Sequence, residues 1–204
     1  MRLRGVDFGM VWDASGVRSF FGEGYWYHKY ARHFGLDFDG STFVAKTTTL
    51  NANKGNMPLR DDLAPKELFP RCIVVKPLNS AALNAAGLSG PGAEKLFEDG
   101  RWQNLQEPFF ISFAPISETH DGRVHDVLEF VEIFRKHLKN FKAPVGLQIN
   151  ISCPNISSKK CDDFVWEVHR MLNIASRLKI AVVLKFSVTT PPEMVYQISQ
   201  HQYC

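Results

Sequence analysis

The chain has 204 residues, 45% hydrophobic and 22% charged, with a formal net charge of +3, a composition of the soluble globular kind. No apolar run approaches the ~18 residues of a membrane span, and Met1-Arg2-Leu3-Arg4-Gly5-Val6-Asp7 leads into no apolar h-region or cleavage site, so neither a membrane association nor a secretory signal is expected and the chain is assigned to the cytoplasm. The small net charge, with Lys and Arg scattered outside Ser157-Ser158-Lys159-Lys160, speaks against a nucleic-acid partner, and Cys72, Cys153, Cys161 and Cys204 lack the spacing of a zinc site and fit free thiols.

Apolar periodicity gives alternating strands and helices. Phe8 to Trp12 reads as a short strand, Val17 to Phe34 as helical or loop-rich, and Thr42 to Lys46 as the next strand. Arg71 to Lys76 is short and β-rich inside a long loop. Phe109 to Ala114 is a strand, followed by helical spacing of Val124, Val127, Leu128, Val131, Phe134 and Leu138. Val145 to Ile151 is a strand, and Asp162 to Leu178 a helix with Asp162 and Asp163 at its start, where carboxylates favour the dipole. Ala181 to Phe186 is a buried strand, and Pro191-Pro192-Glu193 opens a last helix.

Strands alternating with helices imply a parallel sheet with crossover helices. Five strands fit that pattern, and the chain stops at His201-Gln202-Tyr203-Cys204, in or just after the helix following the fifth. The expected fold is α/β, a TIM-type (β/α)8 barrel with about five of its eight βα units, forming one incomplete domain over residues 1–204. The alternative is an open doubly wound sheet, but Asp13-Ala14-Ser15-Gly16-Val17 at the first βα turn is not the G-x-G-x-x-G fingerprint. The aromatic stretch Tyr25-Trp26-Tyr27-His28-Lys29-Tyr30-Ala31-Arg32-His33 reads as a helix packed on the barrel, with a partner surface as the other reading.

In parallel barrels the reacting groups sit at strand carboxyl ends. Here those ends carry Ala14-Ser15-Gly16, Lys46-Thr47-Thr48-Thr49, Asn150 through Asn155, and Lys185. The strand Gly146-Leu147-Gln148-Ile149-Asn150-Ile151 turning into Ser152-Cys153-Pro154-Asn155 looks like a catalytic mouth, or else like a strand leaving the core with a buried small Cys. A Lys closing a buried strand is costly to desolvate unless it meets an anion or an electron-rich ring, although a single such Lys also reaches water by snorkelling. The Gly- and Asn-rich segments 51–60 and 83–92 read as ordinary turns on pattern alone.

Together these pieces resemble the flavin-dependent dihydroorotate dehydrogenases, in particular the soluble branch with a cysteine base. The resemblance rests on Ala14-Ser15-Gly16, Lys46-Thr47-Thr48-Thr49-Leu50 with Lys54-Gly55-Asn56, Leu83-Asn84-Ala85-Ala86-Gly87-Leu88, Asn150-Ile151-Ser152-Cys153-Pro154-Asn155 and Leu184-Lys185, in the family's order. It implies FMN at the strand carboxyl ends and oxidation of dihydroorotate to orotate in pyrimidine synthesis. Cys153 would be the general base for the C5 proton while a hydride leaves C6. Lys46, Asn84, Gly87, Leu88, Asn150 and Asn155 would bind the substrate, and Ala14, Ser15, Lys46, Thr47, Asn150 and Lys185 the flavin. The family also implies a homodimer, and in some members an electron-transfer subunit; the acceptor, fumarate or such a partner, stays open.

The family's further strands, with another substrate-contacting Asn-Ser or Asn-Thr pair and the glycine-rich flavin phosphate loops, have no counterpart in this sequence. A non-catalytic fragment needing those strands is therefore the rival reading. Flavoproteins acting on dihydropyrimidines resemble the chain less, since they carry His where Asn155 stands, and tRNA-dihydrouridine synthases less again, because Ser152 replaces their Gly and no basic tract is present.

Overall fold

The computed structural model describes residues 1–76, 79, 81–152 and 161–201. A short antiparallel hairpin, β1 (Arg2–Leu3) and β2 (Val6–Asp7), precedes β3 (Val11–Trp12), which pairs in parallel with β4 (Ser41–Thr42). Between them lies α1 (Trp26–Ala31). An antiparallel hairpin, β5 (Ile73–Lys76) and β6 (Ala81–Asn84), and α2 (Ala93–Glu98) follow. Then β7 (Phe109–Phe113), α3 (His120–His137), β8 (Val145–Asn150), α4 (Cys161–Ala175), β9 (Val182–Lys185) and α5 (Pro192–Ser199) alternate, with β7, β8 and β9 in one parallel sheet.

Parallel bridges from Val44 to Phe110 and from Thr48 to Phe113 extend β4 along β7. The parallel array therefore runs β3, β4, β7, β8, β9 in chain order, without the reversal of strand order that defines a doubly wound sheet. All five expected strands are present, three of them shorter by one or two residues and the first two, β3 and β4, reduced to two residues each. Phe8 lies before β3 as a buried plug, and the Phe43–Thr48 backbone pairs with β7 through Phe110 N to Phe43 O, Ala45 N to Phe110 O, Thr48 N to Ser112 O and Ala114 N to Thr48 O.

Alternation divides the strand side chains between two faces. Phe109, Ile111 and Phe113 of β7 and Val145, Leu147 and Ile149 of β8 join Val127, Phe130 and Phe134 of α3 in the main core, with the Phe113 and Phe130 rings stacked at 4.0 Å. Along this face α2 packs on α3, α3 on α4 and α4 on α5. The opposite face is apolar at the strand amino ends, where Phe8, Val44, Phe110 and Ala181 meet Trp12, Val183 and the hairpin residues Leu3 and Val6. The Phe110 ring lies 4.4 Å from that of Phe8 and 4.7 Å from that of Trp12. It occupies the space where a Cβ on residue 146 would stand, 2.4 Å from that position, so β8 carries glycine there.

Helix starts follow their caps. The Thr119 hydroxyl accepts from Gly122 N at 3.0 Å, which begins α3 four residues before the apolar spacing suggests. Pro191 and Pro192 open α5 as expected. The expected helix over 25–33 forms, but it does not pack on the sheet: Trp26, Tyr27 and Tyr30 stay exposed and only His28 is buried. Trp26 instead meets Phe69 edge-on at 5.2 Å and donates to Leu68 O, so α1 and segment 68–69 make an aromatic surface.

Candidate active site

At the strand carboxyl ends the face that begins as Phe110 and Gly146 turns polar. Ser112 stands two residues beyond Phe110, and Gln148 and Asn150 two and four beyond Gly146, so all three project to the same side. Ser112 and Gln148 are register partners across β7 and β8, and Asn150 is the partner of Lys185 on β9. Ser112 Oγ donates to Gln148 Oε1 at 2.9 Å and lies 2.9 Å from Thr47 Oγ1. Thr47 in turn lies 2.8 Å from Ser15 Oγ and receives Asn150 Nδ2 at 3.4 Å. Ser15 also donates to Ala45 O, and Ser152 donates to Asn150 Oδ1 from both its backbone N–H and its hydroxyl. Buried hydroxyls and amides thus link β8 to the turns after β3 and β4, each satisfying the next.

Lys46 sits beside this wall. Its Nζ donates to Ser89 O and lies 4.7 Å from the centre of the Phe20 ring, and the residue is buried. Burial lowers its pKa from the ordinary 10.5 to about 8, with the nearby Cys72 thiol acting in the opposite direction. Folded chain therefore binds fewer protons than unfolded chain between pH 8 and 10.5, and stability rises with pH through that window. The rise expected is about 2–3 kcal/mol, absent from Lys46→Met. Urea midpoints at pH 8 and pH 10 check it; equal slopes in the two proteins would contradict it. The comparison stops at pH 10 because Tyr25, which burial pushes up from 10.0 to about 12, acts with the opposite sign above that pH, where the unfolded phenol ionises first.

Ser89 belongs to the segment 84–90, which is sewn to the loop 51–57. Asn53 and Gly90 exchange backbone hydrogen bonds at 2.9 Å, Asn53 Nδ2 donates to the carbonyls of Gly87 and Leu88, and Asn56 Nδ2 donates to Ala85 O at 2.9 Å. Gly55, at φ +50°, lies so close to this segment that a Cβ would stand 2.5 Å from Ala86 O and 2.6 Å from Gly87 O. Two stretches that read as separate turns are one platform, tied to Lys46 through Ser89.

The structure thus brings Ser15, Lys46, Thr47 and Asn150 together with Ser112 and Gln148, and Lys185 lies across the ladder from Asn150, exposed at the free edge of β9. Ala14 is exposed next to Ser15. Asn84 ends β6 in an exposed position, its Oδ1 accepting from Ala86 N at 2.9 Å, so its side chain serves its own turn rather than the wall; Gly87 and Leu88 stand at φ +68° and +57° in the same turn. Cys153 and Asn155 lie outside the described residues. The sequence expectation omits Ser112 and Gln148, although each is the polar member of an alternate-residue set. Two surface hollows lie away from the wall: one of about 420 Å³ beside α1 around Arg18, His28 and Asp37, and one of about 570 Å³ between α3 and α4 around His125 and Arg170.

The fold and the wall define an α/β protein with sequential parallel strands and a polar, lysine-flanked site at their carboxyl ends. No protein-family model matches the sequence. The chain is similar to the dihydroorotate dehydrogenase A (fumarate) of Lactobacillus delbrueckii subsp. bulgaricus, 28% identical over 170 residues that cover 80% of this chain and 46% of that protein. The chain spans about half the length of the curated relative it matches. Among the described residues no helix is long and apolar enough to cross a membrane.

Proposed function

We propose that this chain supplies about five of the eight βα units of a cytoplasmic (β/α)8 barrel that binds FMN and oxidises dihydroorotate to orotate. The single observation that carries the reading is the polar wall: Ser15, Thr47 and Asn150, from three different strand ends, joined over an apolar floor and flanked by the buried Lys46. Strand order and the likeness to the dihydroorotate dehydrogenase A support it.

The donor set fits a flavin ring. Neutral hydroxyls and carboxamides with two lysines suit a flat, hydrogen-bonding heterocycle that takes on negative charge when reduced. Ala14, Ser15, Lys46, Thr47, Asn150 and Lys185 would hold that ring, which when bound supplies the two-electron acceptor. Lys46, Asn150 and Asn155, with the platform carrying Asn84, Gly87 and Leu88, would orient dihydroorotate against it, because transfer needs near-attack geometry. Cys153 would take the C5 proton at Sγ. A homodimer, and the electron acceptor that reoxidises the protein, belong to the same reading.

A second reading, a fragment that is inactive until joined by the remaining βα units, is favoured by the array's edges. Val182, Val183 and Leu184 of β9 are only partly covered, and Val11 and Met10 at the other edge are exposed. Such edges seek pairing. A flavin spectrum of the 204-residue chain with FMN and anaerobic dihydroorotate separates the readings. Bleaching of bound flavin near ~450 nm is the expected result for an assembled site; retention of flavin only after a second polypeptide with the missing units is added establishes the fragment, and no binding in either case overturns the flavin assignment.

A further inference from the structure

Proton bookkeeping gives the wall a direction. The carboxamide oxygen of Gln148 has no proton to give, so its contact with Ser112 uses the Ser112 proton. Ser112 then accepts from Thr47, and Thr47, its proton committed, accepts from Asn150 Nδ2 and shares with Ala45 O the single proton of Ser15. Asn150 cannot turn over, because its Oδ1 accepts from Ser152 N at 3.2 Å and Ser152 Oγ at 2.6 Å. Hydrogen bonds run one way, from Asn150 and Ser15 through Thr47 and Ser112 to Gln148, which is only 9% exposed. Two groups remain at the open end. Ser15 Oγ has free lone pairs, its proton lying between Ala45 O and Thr47, and Asn150 has a second Nδ2 proton. An acceptor beside a donor matches a ring edge on which N–H stands next to C=O.

We propose that Gln148 is a positioning residue of this site: acting through Ser112 and Thr47, its carboxamide oxygen holds Asn150 as donor, beside Ser15, which Ala45 O keeps as acceptor, for an N–H/C=O ring edge. The identity of the ring, flavin or dihydropyrimidine, rests on the function proposed above; the orienting role does not.

The test begins without ligand, on the side-chain ¹⁵N–¹H pair of Asn150 in the full chain, assigned by its loss in Asn150→Asp. Gln148→Met removes the terminal acceptor and is expected to shift that pair. Gln148→Glu keeps an acceptor oxygen and should leave it near the original position, a rescue that general loosening would not give. Ser112→Ala breaks the chain one link on, with little volume change, and should reproduce the Gln148→Met shift even where that variant folds poorly. With ligand, Gln148→Met and Ser112→Ala are expected to weaken binding about 5- to 10-fold, the range of one hydrogen bond, with kcat changed less. A rise in the FMN Kd assigns the edge to flavin, and a rise in the dihydroorotate KM to substrate. An unmoved Asn150 signal in both Gln148→Met and Ser112→Ala overturns the proposal. Shifted signals in a chain that binds neither ligand overturn the proposed function and leave the positioning role standing.

Discussion

Replacing Glu167 by Ala is expected to destabilise the chain by about 3–5 kcal/mol, because it strands a buried cation. The Glu167 side chain is 2% exposed on α4 and accepts from Arg123 Nε at 2.6 Å, from Arg123 Nη2 at 2.7 Å and from His120 Nδ1. Arg123 is itself buried on α3, and its Nη1 donates to the carbonyls of Ser117 and Glu118 at 3.0 and 2.9 Å. Asp126 holds the same loop from the other side, accepting from Ile116 N, Ser117 N and the Ser117 hydroxyl. The knot therefore joins the loop after β7 to the helix that follows the Cys153 segment. Exposed pairs such as Arg60 with Asp62 are screened by solvent and contribute much less. Denaturant unfolding measures the difference, and a loss under about 1 kcal/mol would contradict a buried pair. Arg123→Met combined with Glu167→Leu fills the volume without charge and is expected to recover most of the loss.

That knot also marks how far the sequence is legible. Strands that are mostly apolar, Phe109 to Phe113 and Val145 to Ile149, stand out because both faces are buried, and they occur where expected. The helix α3 is legible from its apolar stripe, but its true start needs Thr119, a cap outside any apolar pattern. The hairpin β1–β2, the strand β6 and the short α2 were not legible, because two- to four-residue strands and a six-residue helix carry too little periodicity, whereas β5 falls within the β-rich segment Arg71 to Lys76. In the site, Ser15, Lys46, Thr47 and Asn150 were legible as polar residues ending apolar strands. Ser112 and Gln148 sit inside such strands, and only alternation read against Phe110 and Gly146 reveals them. Asn84 illustrates the reverse difficulty, since a short amide beside Gly serves a turn as readily as a ligand.

Cys153→Ser is expected to slow dihydroorotate-driven flavin reduction by about 10²- to 10⁴-fold at neutral pH, the range general base catalysis supplies. A thiol with an ordinary pKa near ~8.5 yields a useful fraction of thiolate at neutral pH, above all where positive groups flank the site, Lys185 and, below its own pKa of about 8, Lys46, whereas a serine hydroxyl does not ionise there. The loss should fall on kcat and leave flavin affinity intact, because the wall is held by bonds that do not involve the sulfur. Asn150 is fixed by Ser152 and Thr47, and Ile151 N donates to Lys185 O at 3.0 Å, so the strand end keeps its form up to residue 152. For the same reason the wild-type reduction rate should climb with pH as the thiol ionises, while the Ser152-side contacts, which hold no titrating group, stay constant. Stopped-flow reduction of the flavin-loaded protein across pH 6 to 9 reads both features, a range set around the ordinary thiol pKa of ~8.5. Reduction by Cys153→Ser at the wild-type rate would remove Cys153 from the base role, and loss of flavin affinity in the variant would place the residue in binding instead.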